Sequence, residues 1–307
     1  MTTNPLVPSH LAKNQFGNIS LSTLNTDIEC IEINHQCCHA KVSLYGGQVL
    51  SWQPLLANQT HDQQPKEVFW LSKDAIYQQG SAIRGGIPLC WPWFGSFMVN
   101  GKNVGNHGFA RQRNWQLSES KITAQGVYLT LTFESKQCHS HWPYTFKLTQ
   151  KLFFGEKFKQ TLTIQNNSEQ AFEYSAALHS YFCVSSPANI QIPALANTSF
   201  DDKLTATSSN GETNVSSKGP VDRIYQSNKK MRIIDKHWQR AINIECNNTQ
   251  QWVLWNPGDE IAKTMADIHT NGESEYVCLE AANTQWQTVA ARSETSIAQT
   301  IYINDCL

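Results

Sequence analysis

The chain has 307 residues, with 24 basic and 25 acidic side chains and a net charge of −1. That balance argues against nucleic acid or an anionic membrane as the main partner, and no stretch reaches the roughly 18 apolar residues of a membrane-spanning helix. Charged residues are only 16% of the total while Ser, Thr, Asn and Gln abound, which is the composition of strand and loop surfaces rather than helical ones.

Residues 1–13 carry neither a basic leader nor a continuous apolar run, so they do not read as a signal peptide. Nine cysteines is an odd number, and they are scattered, with only Cys37 and Cys38 adjacent. Reduced thiols and a cytoplasmic location are therefore expected. Residues 1–20 are polar and read as an arm, and 21–307 read as a single domain.

Along the chain the dominant period is two. Val127, Leu129, Leu131 and Phe133 alternate with polar residues, which predicts a strand with one buried face. Phe158, Gln160, Leu162 and Ile164 repeat the pattern and run into Asn166-Asn167, a turn signal. Ile242–Ile244, Trp252–Trp255 and Ile297–Ile303 read the same way. Short helical turns are expected at Ser72–Tyr77 and Pro220–Tyr225, and Asn197–Gly219 reads as a surface excursion. The connections are too short and polar to be the amphipathic helices of a parallel α/β sheet. The fold expected from this pattern is all-β, a large antiparallel β-sandwich.

Three places break the alternation with groups that do chemistry. In Ile83–Gly95, paired glycines allow close backbone approach, Arg84 stands just before them, and Trp91, Trp93 and Phe94 offer flat faces either to a sugar or to the core. In Asn106–Arg111, His107 and Arg111 lie four residues apart beside a glycine. With Arg84 they suggest a two-arginine phosphate site suited to the guanidinium fork. His179 and Glu280, far apart in sequence, each stand at the edge of an apolar strand, where an ionisable group is costly unless function compensates. As a pair they make a general acid and a general base. Cys138, His139 and His141 have metal-like spacing but no second ligand cluster nearby in sequence, and no Gly-x-Ser-x-Gly elbow or phosphate-binding glycine loop is present.

Gly46-Gly47-Gln48 with Ser51-Trp52, Ala82–Pro88 through Phe94-Gly95, His107–Arg111, Leu178–Phe182, Val221–Tyr225, Trp255-Asn256-Pro257 and Cys278-Leu279-Glu280 occur in that order. This ordered set, over roughly residues 40–305, resembles the D-hexose-6-phosphate mutarotases (glucose-6-phosphate 1-epimerases), a branch of the aldose 1-epimerase family. The resemblance implies a β-sandwich of galactose mutarotase type and an isomerase that interconverts the anomers of hexose 6-phosphates. It implies His179 and Glu280 as catalytic residues, and Arg84, Asn106, His107, Arg111 and Asp222 as substrate-binding ones. Asn106 stands where relatives often carry Gln. Neither a metal nor another cofactor is implied. The implied partner is a small phosphosugar, and the protein itself is expected to be a monomer or weak oligomer. Two alternatives stay open from the sequence, a non-catalytic carbohydrate-binding β-sandwich and a mutarotase for unphosphorylated aldoses. A glycoside hydrolase would instead need paired carboxylates.

Overall fold

The computed structural model describes residues 9–25, 27–55, 66–136 and 139–305. Among the described residues every pair of strands is antiparallel, in three large sheets and one small hairpin. The first sheet is a five-stranded meander from Ser9–Asn14 to Gln48–Pro54. The second has eight strands, with Lys157–Asn166 and Glu294–Asp305 paired near its middle. The third sheet holds the long Tyr276–Val289 strand between Gln251–Asn256 and Phe172–Leu178, with Val221–Tyr225 beyond Gln251–Asn256. The all-β antiparallel expectation is borne out.

The strands form where alternation expected them. Gly126–Lys136 buries Val127, Leu129 and Leu131 and turns Tyr128 outwards. Residues from all three sheets meet in one apolar cluster, including Trp52, Leu162, Leu254, Leu279 and Ile301. Burying each such side chain contributes about 1.5–3 kcal/mol. One polar feature crosses this core. Gln160 Nε2 donates to Gln150 Oε1 (2.6 Å), and Gln299 Nε2 donates to Gln160 Oε1 (2.7 Å) and to Ser180 Oγ (3.1 Å). Gln150 Nε2 closes the ladder on the Gly47 carbonyl at 2.6 Å.

Four local expectations are corrected. From Ser9 onward the expected arm is a hairpin, Ser9–Asn14 with Gly17–Asn25, paired into the first sheet; residues 1–8 lie outside the described residues. Pro220–Tyr225 is not a helical turn, because Val221–Tyr225 pairs along Gln251–Asn256. Ser72–Tyr77 makes only a single turn, closed by Ala75 N–H to the Ser72 carbonyl. Within the expected surface excursion, Phe200–Asp202 and Thr207–Ser209 extend the edge of the third sheet. Among the described residues no helix is long and apolar enough to cross a membrane.

Candidate active site

The third sheet has two working faces. Leu279, Ala281, Leu254 and Leu178 point into the main core, and Val253, Ala282, Ala177 and Cys90 form a small cluster on the opposite face. Glu280 is paired with Val253 in the ladder and shares that second face. The strand register then sets its partner. Leu178 stands opposite Ala281 and Tyr181 opposite Cys278, so His179 falls opposite Glu280. Cross-strand neighbours bring their side chains within contact distance, and His179 Nε2 lies 3.3 Å from Glu280 Oε1.

Both groups are buried, yet each keeps one atom unsatisfied. His179 Nδ1 and Glu280 Oε2 have no hydrogen-bond partner among the described residues. Burial acts on both in the direction of neutrality. It pushes the Glu280 carboxyl well above the usual range, helped by Asp222 and opposed by Arg111 and Lys203. It holds the His179 imidazole well below its usual value, with His107, Arg111 and Arg84 adding to the effect. His179 is further fixed by stacking on Tyr181, with centroids 4.9 Å apart and planes 10° from parallel.

The pair borders a cavity of about 350 Å³ that Arg84, Asn106, His107, Arg111 and Asp222 also line. The structure thus brings all seven residues singled out in the sequence around one space. Arg84 is presented by the Ile83–Gly95 segment. Gly86 there has φ +63°, and a Cβ on it would fall 2.1 Å from the Val49 carbonyl oxygen, so only glycine lets the segment approach so closely. Gln48 pins the same segment by donating to the carbonyls of Ile83 (3.1 Å) and Gly85 (2.7 Å). The Arg84 guanidinium donates from Nε to Asp267 Oδ2 and from Nη1 to the Tyr181 hydroxyl, both at 3.0 Å.

Arg111 lies in a short 3₁₀ turn, Ala110–Gln112, and donates from Nη2 to the Asn106 carbonyl at 3.1 Å, while its buried Nε has no partner among the described residues. Asn106 has its Oδ1 occupied by Ser96 Oγ (2.9 Å) and Asn103 Nδ2 (3.2 Å). His107 accepts the Gly95 N–H on Nδ1 at 3.3 Å, so its ring proton sits on Nε2. Burial, followed by Arg111, Lys203 and Arg84, lowers His107 to about 3 and keeps it neutral. Asp222 is raised by burial, with Asp202 adding and Lys203 opposing.

The aromatic expectation divides. Trp91 and Trp93 are buried in the core, whereas Phe94 lines the cavity together with Trp255. Sequence reasoning missed Lys203 and Met265 in the lining and Asp267 behind Arg84. Lys203 was hidden because its segment reads as a polar loop; Asp267 carries no local signal. Of the metal-like trio, Cys138 lies outside the described residues, and His139 stacks on Phe109 at 5.4 Å.

The aldose 1-epimerase family pattern matches residues 29–303. A curated protein of Salmonella typhimurium named "Putative glucose-6-phosphate 1-epimerase" is 31% identical over 282 residues, which is 90% of this chain and 91% of that one. The crystal structure of a "putative mutarotase (YeaD)" from the same organism superposes with a TM-score of 0.84 at 28% identity over 97% of both chains. A galactose mutarotase-like protein from Clostridium acetobutylicum shares the fold at 15% identity, with a TM-score of 0.70 over 95% of this chain and 100% of that one. On the extent of these matches the chain belongs to the aldose 1-epimerase family and is an isomerase of sugar anomers.

Proposed function

We propose that the protein interconverts the α and β anomers of hexose 6-phosphates, glucose 6-phosphate foremost, and that His179 and Glu280 are its acid–base pair. The observation that carries this reading is the buried His179–Glu280 contact with one free atom on each partner, facing a cavity that also holds arginines. In the protein alone, burial places the pair's shared proton on Glu280. Sugar hydroxyls donating to Oε2 favour the carboxylate, and the phosphate dianion favours the imidazolium, so substrate binding moves that proton to His179.

Glu280 then takes the proton of the anomeric O1 hydroxyl while His179 protonates the ring oxygen O5. The C1–O5 bond breaks and O1 becomes the aldehyde oxygen. C1 turns about the C1–C2 bond, O5 re-adds to the other aldehyde face, and the two groups exchange roles. Each positioned proton transfer contributes about 10²- to 10⁴-fold. Asp222 accepts from sugar hydroxyls, and Asn106 and His107 donate to sugar oxygens. Arg84 and Arg111 hold the 6-phosphate, so the opened chain stays in place while C1 rotates.

The test is saturation-transfer NMR on the anomers of glucose 6-phosphate, with free glucose alongside. Faster exchange of the phosphosugar is expected, and Arg84→Ala or Arg111→Ala should lower the phosphosugar-to-glucose ratio of kcat/KM by about 10- to 100-fold, the worth of one charge-assisted hydrogen bond. Equal losses on both sugars would return the arginines to a structural role and leave a general aldose mutarotase.

A further inference from the structure

Three cationic side chains line the cavity, and their surroundings differ. Arg84 is already matched, because the Asp267 carboxylate lies 3.0 Å from its Nε. Arg111 meets a carbonyl oxygen and makes no ion pair among the described residues. Lys203 makes no ion pair among the described residues, although two aspartates precede it directly. Asp202 is taken by Arg223 Nε at 3.0 Å and by the N–H groups of Leu204 and Thr205. Asp201 is taken by Ser208 Oγ at 2.6 Å and Gln226 Nε2 at 2.9 Å. Both carboxylates are thereby held away from the lysine.

The backbone aims Lys203 deliberately. It follows the Phe200–Asp202 strand, and its N–H donates to the Asp222 carbonyl at 2.8 Å, which seats it beside Asp222 at the cavity edge. Its ammonium lies 5.9 Å from the Phe94 ring centroid and 3.6 Å from where a Cβ on Gly95 would stand. A phosphomonoester carries about −1.5 to −2 charges at neutral pH. Arg111 and Lys203 are the two cations of the lining without a carboxylate in ion-pair contact, and together they match that charge.

We infer that Lys203 is a specificity-determining residue of this site, its ammonium bound directly to the phosphate of the substrate and shielding that phosphate from Asp222. The inference rests on the phosphosugar reading and adds a cation that the arginine pair alone does not supply. Unlike an arginine fork, a lysine acts as a point charge on a flexible stem. It can therefore follow the phosphate as the sugar opens, and it draws in the dianion from solution.

The experiment compares the wild-type protein with Lys203→Met, which keeps the apolar stem, and with Lys203→Arg. Anomer exchange of glucose 6-phosphate and of glucose is followed against ionic strength, with inorganic phosphate as a competing probe. Lys203→Met should lower the phosphosugar-to-glucose ratio of kcat/KM by about 10-fold or more, flatten its salt dependence and weaken inhibition by inorganic phosphate, with Lys203→Arg lying closer to wild type. If the wild type prefers the phosphosugar but Lys203→Met keeps both the ratio and the salt slope, Lys203 is not the phosphate's partner and the arginines stand alone. If the wild type shows no preference, the phosphosugar reading itself fails.

Discussion

Two buried polar clusters of this protein lie next to each other in sequence and obey opposite rules. Ser180 ends the ladder of Gln150, Gln160 and Gln299, and every rung of that ladder is hydrogen-bonded. One residue earlier, His179 faces the other side of the sheet, and there both it and Glu280 keep an unpartnered atom. Burial is nearly equal, since Gln160 and Glu280 are 0% and 1% exposed. Satisfaction differs. A buried polar group without a partner costs about 1–3 kcal/mol, so the ladder stabilises the joint between two sheets, while the pair stores unspent hydrogen-bonding capacity for a ligand.

The largest effect expected from this contrast is on turnover. Glu280→Gln keeps the shape but removes the base, and His179→Asn removes the acid. Each should lower kcat for anomer exchange by about 10²-fold or more, with KM changed far less. A Glu280→Gln protein turning over at near the wild-type rate would mean that another group takes the proton.

Next in size is the ladder. Gln160→Leu leaves Gln150 Oε1 without its donor and Gln299 Nε2 without its acceptor at that rung, a loss of about 1–3 kcal/mol. Calorimetry should show Tm falling by roughly 2–4 °C per kcal/mol lost. An unchanged Tm would show that the core closes over the gap and that the ladder is dispensable.

The smallest effect is a gain. Because the Glu280 pKa is raised in the folded protein, its favourable contribution belongs to the protonated form and is lost as pH rises through that raised value. At neutral pH the fold must keep protonated a carboxyl that would ionise in the unfolded chain, and this weighs against the fold. Glu280→Gln should therefore stabilise the protein by about 1 kcal/mol at neutral pH, and the gain should shrink as pH falls towards the ordinary carboxylate range. Thermal unfolding at several pH values reads this directly. A variant less stable than wild type at neutral pH would mean that the carboxylate is satisfied in the fold.

Much of the sheet architecture was legible because one face of each strand meets the core and the other meets water. Val127–Phe133 is the simplest case. Legibility fails where the outer face meets something else. Val221–Tyr225 has Asp222 turned to the cavity and Arg223 stacked 4.3 Å over the Phe200 ring while pairing with Asp202 and Glu212. Its polar residues thus fall on both faces, and the period of two disappears. The Asn197–Gly219 stretch misled for a related reason. Its short strands sit at a sheet edge and carry polar residues that bind one another, so nothing in the sequence separates them from a solvated loop. The proposed acid–base pair was legible only as two ionisable residues at the ends of apolar runs, since only the fold joins residues 179 and 280. The partner of Arg84 had no signal at all, as Asp267 follows the five-residue Gly258–Ala262 helix in an otherwise unremarkable polar run.

The strand register that sets His179 opposite Glu280 also divides the protein into parts with different evolutionary freedom. Inserting or deleting one residue in Tyr276–Val289 ahead of Glu280 would rotate its carboxyl from the cavity into the core, so that strand can change by substitution but not by length. The groups proposed to hold the phosphate sit on the rim: Arg84 on a glycine-bent segment, Arg111 in a 3₁₀ turn, Lys203 at a sheet-edge turn. The Arg84 segment is pinned by Gln48 and Gly86, but turns such as those carrying Arg111 and Lys203 accept exchanges far more readily. A lineage of this fold can thus change which sugar it admits by rewriting its borders, while ring opening stays locked in the weave of the sheet.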